Sequence, residues 1–275
     1  MGRPHPGLAG VALAYGGYDE HSVAPVRRRQ APTGFCTLIL AWDGPLRLEG
    51  PRGVRSSGPF LAGMHDAAVV TAFTGRQQGV QVDLSPLGVL RLLGRPVDDL
   101  TDDVPALDEL DVPALAALPG RLAEDGTWAR RFARVDATLL RLLDRSTTNP
   151  DPEVAHAWTS LEIAGGRVPV TALADDVGWS RRHLLTRFRR QVGLSPTATG
   201  RVLRFRHAAR LLVPGAGPGR VPTADRIADL AAECGYADHS HLVREFRALA
   251  GCTPSAFVAG WEQFPDVQDT ADAHP

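Results

Sequence analysis

The sequence contains no lysine, and all 30 of its basic residues are arginine. Its three cysteines, Cys36, Cys234 and Cys252, form no C-x-x-C pair, and their number is odd. This argues against a disulfide framework and a cysteine-based zinc site, so we interpret them as small apolar residues. No apolar run approaches the ~18 residues of a membrane-spanning helix. The N-terminus also lacks a basic stretch followed by an apolar core. These absences predict a cytoplasmic protein with no membrane partner.

Acidic residues are missing from one long window of a chain whose net charge is −1. Between Asp176 and Asp225 there is no Asp or Glu. Unbalanced like charges repel one another within a Debye length of about 8 Å. The window therefore favours a polyanionic partner over the alternative of a solvated helix face. Ten arginines lie in it: Arg181, Arg182, Arg187, Arg189, Arg190, Arg201, Arg204, Arg206, Arg210 and Arg220.

Residues 1–100 have the short apolar runs, separated by Gly and Pro, that are typical of β-strands. The predicted strands are 35–42, 45–49, 59–64, 67–73 and 79–84. Such spacing suggests an antiparallel sandwich or barrel. Residues 85–94 follow as a short helix, with Ser85 as its N-cap and Gly94 as its terminator.

Residues 105–145 show helical periodicity, and their apolar stripe from Trp128 to Leu143 suits either a core or a surface between two copies of the chain. A polar, proline-containing segment at 146–152 is a predicted linker. These patterns predict an α+β multidomain protein. We place a β-rich domain with trailing helices at 1–145, an all-α domain at 153–264 and a disordered tail at 265–275.

The all-α region contains one pattern twice. The segment "LADDVGWSRRHLLTRFRRQVGLSP" resembles "LAAECGYADHSHLVREFRALAGCTP" at an offset of 57 residues, and of 58 after one inserted residue. Gly178 and Gly235 fall where a tight turn needs a positive φ angle. Ser180 and Asp238 can then cap a second helix. Each copy predicts a helix-turn-helix motif, at about 171–192 and 225–250, whose second helix can enter the DNA major groove.

The residues between the copies, "RVLRFRHAARLL", predict a long connecting helix with a buried apolar stripe. Its length of roughly 25 Å could hold the two recognition helices about one DNA turn apart. A single chain would then contact two successive major-groove faces.

Through these three segments, residues 153–264 resemble the DNA-binding domain of AraC/XylS-type transcription regulators. The N-terminal half is similar, less specifically, to the cupin-like sensor and dimerisation domains that often precede it. The resemblance implies a sequence-specific regulator that binds double-stranded promoter or operator DNA. It also implies a possible small-molecule effector, a homodimer and contact with RNA polymerase.

The resemblance further implies which side chains contact DNA. Base contacts are expected near the start of each recognition helix, from Arg181, Arg182, Leu185, Thr186, His239, Ser240, Val243 and Arg244. Phosphate contacts are expected from Arg187, Arg189, Arg190 and Arg247. Thr186 stands where the family usually has Arg, and the connection at 213–225 is longer and richer in Gly and Pro than usual. The first motif is therefore expected to specify fewer bases.

The N-terminal half admits three interpretations: an effector sensor, a domain that only dimerises or binds a protein partner, and a cupin-type enzyme. Its histidines, His5, His21 and His65, are too far apart in sequence to suggest the three ligands of an open metal site. No nucleophile elbow or phosphate loop appears either. We therefore expect no enzyme activity, catalytic residue, metal or cofactor. Candidate ligand contacts for a sensor are Phe35, Ile39, Trp42, Arg76 and Gln78.

Overall fold

The computed structural model describes residues 2–50, 53–213 and 223–260, and it divides into a β-rich N-terminal half and a helical C-terminal half. Six strands form one sheet. Their bounds are β1 Ala12–Gln30, β2 Cys36–Asp43, β3 Leu46–Gly50, β4 Gly53–Ser57, β5 Phe60–Ala62 and β6 Val69–Leu84. The expected α+β architecture, with a β-rich half followed by helices, is confirmed.

The long strand β6 organises the sheet. Along one side it pairs with β1, and along the other it pairs with β3 near its start and with β2 towards its end. All of these pairings are antiparallel. The predicted strands 67–73 and 79–84 are thus one strand, which passes through Gly75 at φ +84°. Neither β1 nor β4 was predicted, because their sequences lack a clear apolar alternation.

The two faces of the sheet bury different side chains because successive residues of a strand point to opposite sides. Leu38 and Leu40 of β2, with Val80 and Val82 of β6, join the main core beneath the helices. The opposite face carries a smaller apolar cluster of Ile39, Ala41, Leu48 and Phe60. This second face forms one wall of a cavity, which is described below.

Four helices cover the first face: α1 Pro86–Leu93, α2 Pro113–Ala116, α3 Leu118–Glu124 and α4 Trp128–Arg145. The predicted caps of α1 are present, since Ser85 Oγ accepts from Gly88 N and Gly94 adopts φ +67°. The stripe of α4 packs inside the protein, with Val135 and Leu139 fully buried. These two residues therefore serve the core rather than a surface between copies.

The described residues of the C-terminal half contain seven helices. They are α5 Pro152–Ile163, α6 Val170–Asp176, α7 Arg181–Val192, α8 Pro196–Leu212, α9 Ala224–Glu233, α10 His239–Ala250 and α11 Pro254–Ala259. The predicted loop at 213–225 falls largely outside the described residues, as does the predicted tail at 265–275. Within the described ranges, no helix is long and apolar enough to cross a bilayer.

A cluster of aromatic rings holds the second half of this domain together. Phe205 of α8 is fully buried, 4.8 Å from the ring of Phe246 in α10 and 6.0 Å from that of Phe257 in α11. Edge-to-face contacts of this kind add to the free energy gained by burying each ring. The connecting helix α8 therefore packs against the second motif through Phe205.

Replacing Phe205 with Ala should lower the free energy of unfolding by about 3–5 kcal/mol, because it leaves a cavity at the centre of this cluster. Urea unfolding measures the change. Ile163→Ala is the control, because Ile163 is 83% exposed and its loss should change stability by less than about 0.5 kcal/mol. Equal stability of the two variants would contradict the assigned role of Phe205.

Candidate nucleic-acid interface

The two predicted motifs have the same turn, with an equivalent backbone hydrogen bond in each. Gly178 and Gly235 lie at φ +69° and +74°. In the first turn Trp179 N donates to Ala174 O at 3.0 Å, and in the second Tyr236 N donates to Ala231 O at 2.8 Å. The left-handed glycine lets the chain reverse immediately after the helix. Each first helix, α6 or α9, is thus set against its recognition helix, α7 or α10, in the same way.

The recognition helices also start alike. Ser180 Oγ accepts from His183 N at 3.2 Å, and Asp238 Oδ1 accepts from His241 N at 2.6 Å. Both predicted N-caps are therefore present. The imidazole of His183 packs edge-on against Trp179, with centroids 4.4 Å apart, and His241 packs against Tyr236 at 5.3 Å. This aromatic–histidine pair fixes the first turn of each recognition helix.

One face of each recognition helix is buried and the other is open. Leu184 and Phe188 of α7 are fully buried, as are Leu242 and Phe246 of α10. The expected base-contacting side chains lie on the remaining surface near the helix starts. Arg181, Arg182, Thr186, His239, Ser240 and Arg244 are exposed, and Leu185 and Val243 are half-buried. The Thr186 hydroxyl donates to Arg182 O at 3.0 Å, which leaves its methyl group and oxygen lone pairs for other contacts.

Six arginines of the recognition helices are exposed and make no ion pair within the described part of the chain. In such positions their guanidinium groups are free to meet phosphates or base edges. They are Arg181, Arg182, Arg189, Arg190, Arg244 and Arg247.

Other arginines of the acid-free window form hydrogen bonds with groups of the protein itself. Arg187 makes a two-point contact with Asp151, at 2.7 and 2.8 Å, which does not favour the phosphate contact expected of it. Arg201 hydrogen-bonds Glu245 at 3.0 Å. Arg206 donates to Thr33 O at 3.0 Å, and burial lowers its pKa to about 10. Acids outside the window therefore balance part of its charge, which the local sequence does not show.

The C-terminal ends of both recognition helices contact the N-terminal half. Val97 N donates to Arg190 O at 3.0 Å, and Thr101 Oγ1 donates to Gly193 O at 2.8 Å, at the end of α7. At the end of α10, Arg29 Nη1 donates to Gly251 O at 3.4 Å. The N-terminal half thus satisfies carbonyl groups that a helix end leaves without partners. The opposite ends, where base contacts are expected, remain open.

The middle of the C-terminal half is also tied to the N-terminal half. Arg201 of α8 lies 3.8 Å from Asp66 while it binds Glu245 of α10. The sequence shows Arg201 only as part of a basic cluster and does not predict this bridge. No local signal could reveal it, because Asp66 and Glu245 are far from Arg201 in the chain. The His183/His241 match, in contrast, was visible at the offset of 58.

The expected ligand contacts of the N-terminal half fall on different surfaces. Ile39 lines the cavity of the second sheet face. Trp42 Nε1 donates to Gln78 Oε1 at 2.8 Å, and the indole packs against Trp128 of α4 on the helix side. Arg76 forms an ion pair with Asp19 at 2.9 Å. Phe35 is buried away from the cavity. The prediction combined residues from both faces, because it did not apply the alternation of side chains along a strand, which puts Ile39 and Trp42 on opposite faces.

Residues 173–260 match the helix-turn-helix domain family. The uncharacterised HTH-type transcriptional regulator YbfI of Bacillus subtilis (strain 168) is 31% identical over 98 residues. These residues are 35% of this chain and 32% of YbfI, so the chain spans about a third of the length of that relative.

Solved structures extend the likeness to the whole fold. ToxT of Vibrio cholerae O395, bound to (E)-4-(8-methylnaphthalen-1-yl)but-3-enoic acid, has a TM-score of 0.50 at 11% identity. The match covers 90% of this chain and 98% of ToxT. The AraC-like transcriptional activator CuxR matches at a TM-score of 0.27 and 16% identity, over 74% of this chain and 84% of its own. The family match shows that the C-terminal half of this chain contains a helix-turn-helix domain at residues 173–260.

The contact between Asp151 and Arg187 predicts a pH dependence of stability. Hydrogen bonds from Arg187 hold the pKa of Asp151 below its usual range. A depressed folded-state pKa contributes stability that is complete above the unfolded value, about 3.9, and is lost as the pH falls through the folded value. Asp151→Asn should therefore destabilise the protein by about 1 kcal/mol or less at pH 7. This difference should shrink below about pH 4.

Urea unfolding of both proteins at several pH values measures this difference. Asp108→Asn is the matched control, because Asp108 is exposed and forms no ion pair with the described residues. A deficit in Asp151→Asn that stays constant down to pH 2 would show that the ion pair is not its cause.

Proposed function

We propose that the whole chain is a sequence-specific transcription regulator that binds double-stranded DNA through α7 and α10. The observation that carries this proposal is the presence of two equivalent recognition helices whose starts are exposed while their ends are held. The connecting helix α8 has 17 residues, or about 25 Å at 1.5 Å per residue. This length suits recognition helices that enter major-groove segments one DNA turn apart.

The proposed division of labour follows the predicted domains. Residues 1–145 would form the sensor or dimerisation domain, 146–152 the linker, and 153–264 the DNA-binding domain. The linker makes hydrogen bonds with residues on either side of it. Thr148 Oγ1 donates to Gly94 O at 3.1 Å, and Asp151 binds Arg187. Through these contacts, a conformational change in one domain can alter the position of the other.

We further propose that the N-terminal half responds to a small-molecule effector in the cavity of its second sheet face. The ToxT structure with a bound butenoic acid compound supports a ligand-binding role for this fold. A domain that only dimerises or binds a protein partner remains the second candidate. Among the described residues, no group of three His, Cys, Asp or Glu side chains could hold a metal ion.

The remaining expectations are compatible with this role. A regulator of this kind would act in the cytoplasm, contact RNA polymerase and bind DNA either as one chain or as a homodimer. Of the expected phosphate contacts, Arg189, Arg190 and Arg247 keep their exposed positions. Arg187 is the weakest of the four, because Asp151 already occupies its guanidinium group.

Arg244→Ala should weaken binding to the selected DNA site and relax the preference at one base position. A good two-point contact with a guanine edge contributes about 1–3 kcal/mol of discrimination. Binding titrations against the site and its single-base variants measure this loss. Arg145→Ala, on an exposed part of α4, is the control and should bind normally. An equal loss on every sequence would assign Arg244 to a phosphate instead.

Arg189→Ala should reduce the salt dependence of binding without changing sequence preference. Each phosphate contact contributes about 0.9 to the slope of log affinity against log salt concentration. The slope is measured for the native chain, for Arg189→Ala and for the exposed control Arg121→Ala. An unchanged slope in Arg189→Ala would remove this residue from the interface.

A further inference from the structure

The cavity of the second sheet face lies between β2, β3, β5 and β6 and the segment 102–104. It measures about 90 Å³ and is partly open to solvent, so it encloses only part of a small organic molecule, since a benzene ring fills a closed cavity of roughly 150 Å³. Its apolar lining comes from Ile39, Leu46, Leu48, Phe60 and Val104. A ligand must therefore present a compact apolar body to most of the wall.

Several polar groups of the lining already have partners. Gln30 Nε2 donates to Thr71 Oγ1 at 3.1 Å, and Gln81 Nε2 donates to Asp83 Oδ1 at 3.0 Å. Asp103 Oδ1 accepts from Arg55 Nη1 at 3.0 Å and from Val104 N at 2.9 Å. These groups hold the wall together and need no ligand.

Two hydrogen-bond acceptors of the lining receive no hydrogen bond from the described residues. The Asp102 carboxylate accepts no hydrogen bond from the described residues, although Asp102 N itself donates to Met64 O at 3.1 Å. The Nε2 atom of His65 is buried and has no hydrogen-bond partner in the described part of the chain. Its Nδ1 lies 3.5 Å from Gly63 O. Because a carbonyl oxygen can only accept, this contact places the proton on Nδ1 and leaves Nε2 as an acceptor.

The protonation state of His65 agrees with this assignment. Burial lowers the pKa of His65, so the imidazole is neutral at pH 7. A neutral ring with its proton on Nδ1 accepts a hydrogen bond at Nε2, as carboxylate oxygens do, and neither group can donate one to a ligand carboxylate. A ligand carboxylate beside Asp102 would also meet a like charge in a partly buried site.

We propose that this cavity takes a small molecule with an apolar body and a hydrogen-bond-donating end, an amine or a hydroxyl group, and that it rejects carboxylates. This proposal rests on the proposed sensor function of the N-terminal half. The donating end would lie against the Asp102 carboxylate, beside the imidazole ring of His65, and the apolar body against Phe60 and its neighbours.

Residues adjacent to the cavity lining also contact the C-terminal half. Thr101, next to Asp102, donates to Gly193 O at the end of α7. Asp66, next to His65, lies 3.8 Å from Arg201. A donor bound at Asp102 and His65 therefore sits one residue from two contacts that hold the DNA-binding domain.

The test uses the full chain and three probes that share one apolar body: benzylamine, benzyl alcohol and benzoate. Isothermal titration and thermal unfolding measure binding of each probe. We expect benzylamine and benzyl alcohol to bind and raise the melting temperature, and benzoate to bind at least tenfold more weakly than benzylamine. A hydrogen bond to a charged group commonly changes an affinity by this factor or more.

Asp102→Asn tests the residue itself. Asp102 has φ +53°, a conformation that Asn tolerates, so this variant is expected to fold. It should bind benzylamine about tenfold more weakly, with a smaller effect on benzyl alcohol. Asp111→Asn is the matched control, because Asp111 has φ +55°, is exposed and does not line the cavity. It should bind all three probes as the native chain does.

Three outcomes would overturn the proposal: benzoate binding as tightly as benzylamine, no binding of either donor probe at millimolar concentration, or unchanged benzylamine affinity in Asp102→Asn. DNA affinity of the ligand-free chain is measured in parallel. Tight DNA binding with no donor-probe binding would reject only the ligand class. Absent DNA binding would reject the proposed function, and the probe titrations would still decide the ligand class.

Discussion

The hydrogen bonds at the ends of the two recognition helices are the contacts on which the arrangement of the molecule depends. A helix leaves its last carbonyl groups without partners, and a structure must satisfy them. Here Val97, Thr101 and Arg29 of the N-terminal half donate to the carbonyls at the ends of α7 and α10. The starts of both helices, where base contacts are expected, consequently face away from the N-terminal half. Binding of DNA would not require the two halves to separate.

The exclusive use of arginine has two consequences in this fold. The guanidinium group can make two parallel hydrogen bonds to a carboxylate, as Arg187 does to Asp151, and a lysine ammonium cannot. The same planar group suits phosphates and guanine edges. One residue type therefore both holds the domains together and supplies the exposed charges of α7 and α10. Which role an arginine has depends on the acids that the fold brings to it.

Local chemistry made the DNA-binding domain predictable. The glycine turns, the Ser180 and Asp238 caps and the buried leucine–phenylalanine pairs each need only neighbouring residues, and two copies reinforced one another. The sheet was less predictable, because β1 gains its partner β6 about 60 residues later in the chain. The ligand prediction needed both alternation and strand pairing. Ile39 and Trp42 lie three residues apart in one strand, so alternation alone puts them on opposite faces, but only the strand pairing shows which face lines the cavity.

Long-range contacts also explain what the sequence could not show about the interface between the two halves. The bridge from Asp66 through Arg201 to Glu245 joins three distant segments, and none of the three has a local pattern that marks it. The bridge connects the wall of the cavity to the second recognition helix. The cavity and the DNA-binding surface are therefore separate sites within one continuously packed structure.

We propose that one chain presents two recognition helices in a fixed relation to DNA. Selection of sequences from random double-stranded DNA by the whole 275-residue chain tests this proposal. We expect a selected site with two specified elements about one helical turn, 10–10.5 base pairs, apart, and with the more strongly specified element facing α10. A single short element, or two elements whose spacing varies freely, would contradict it.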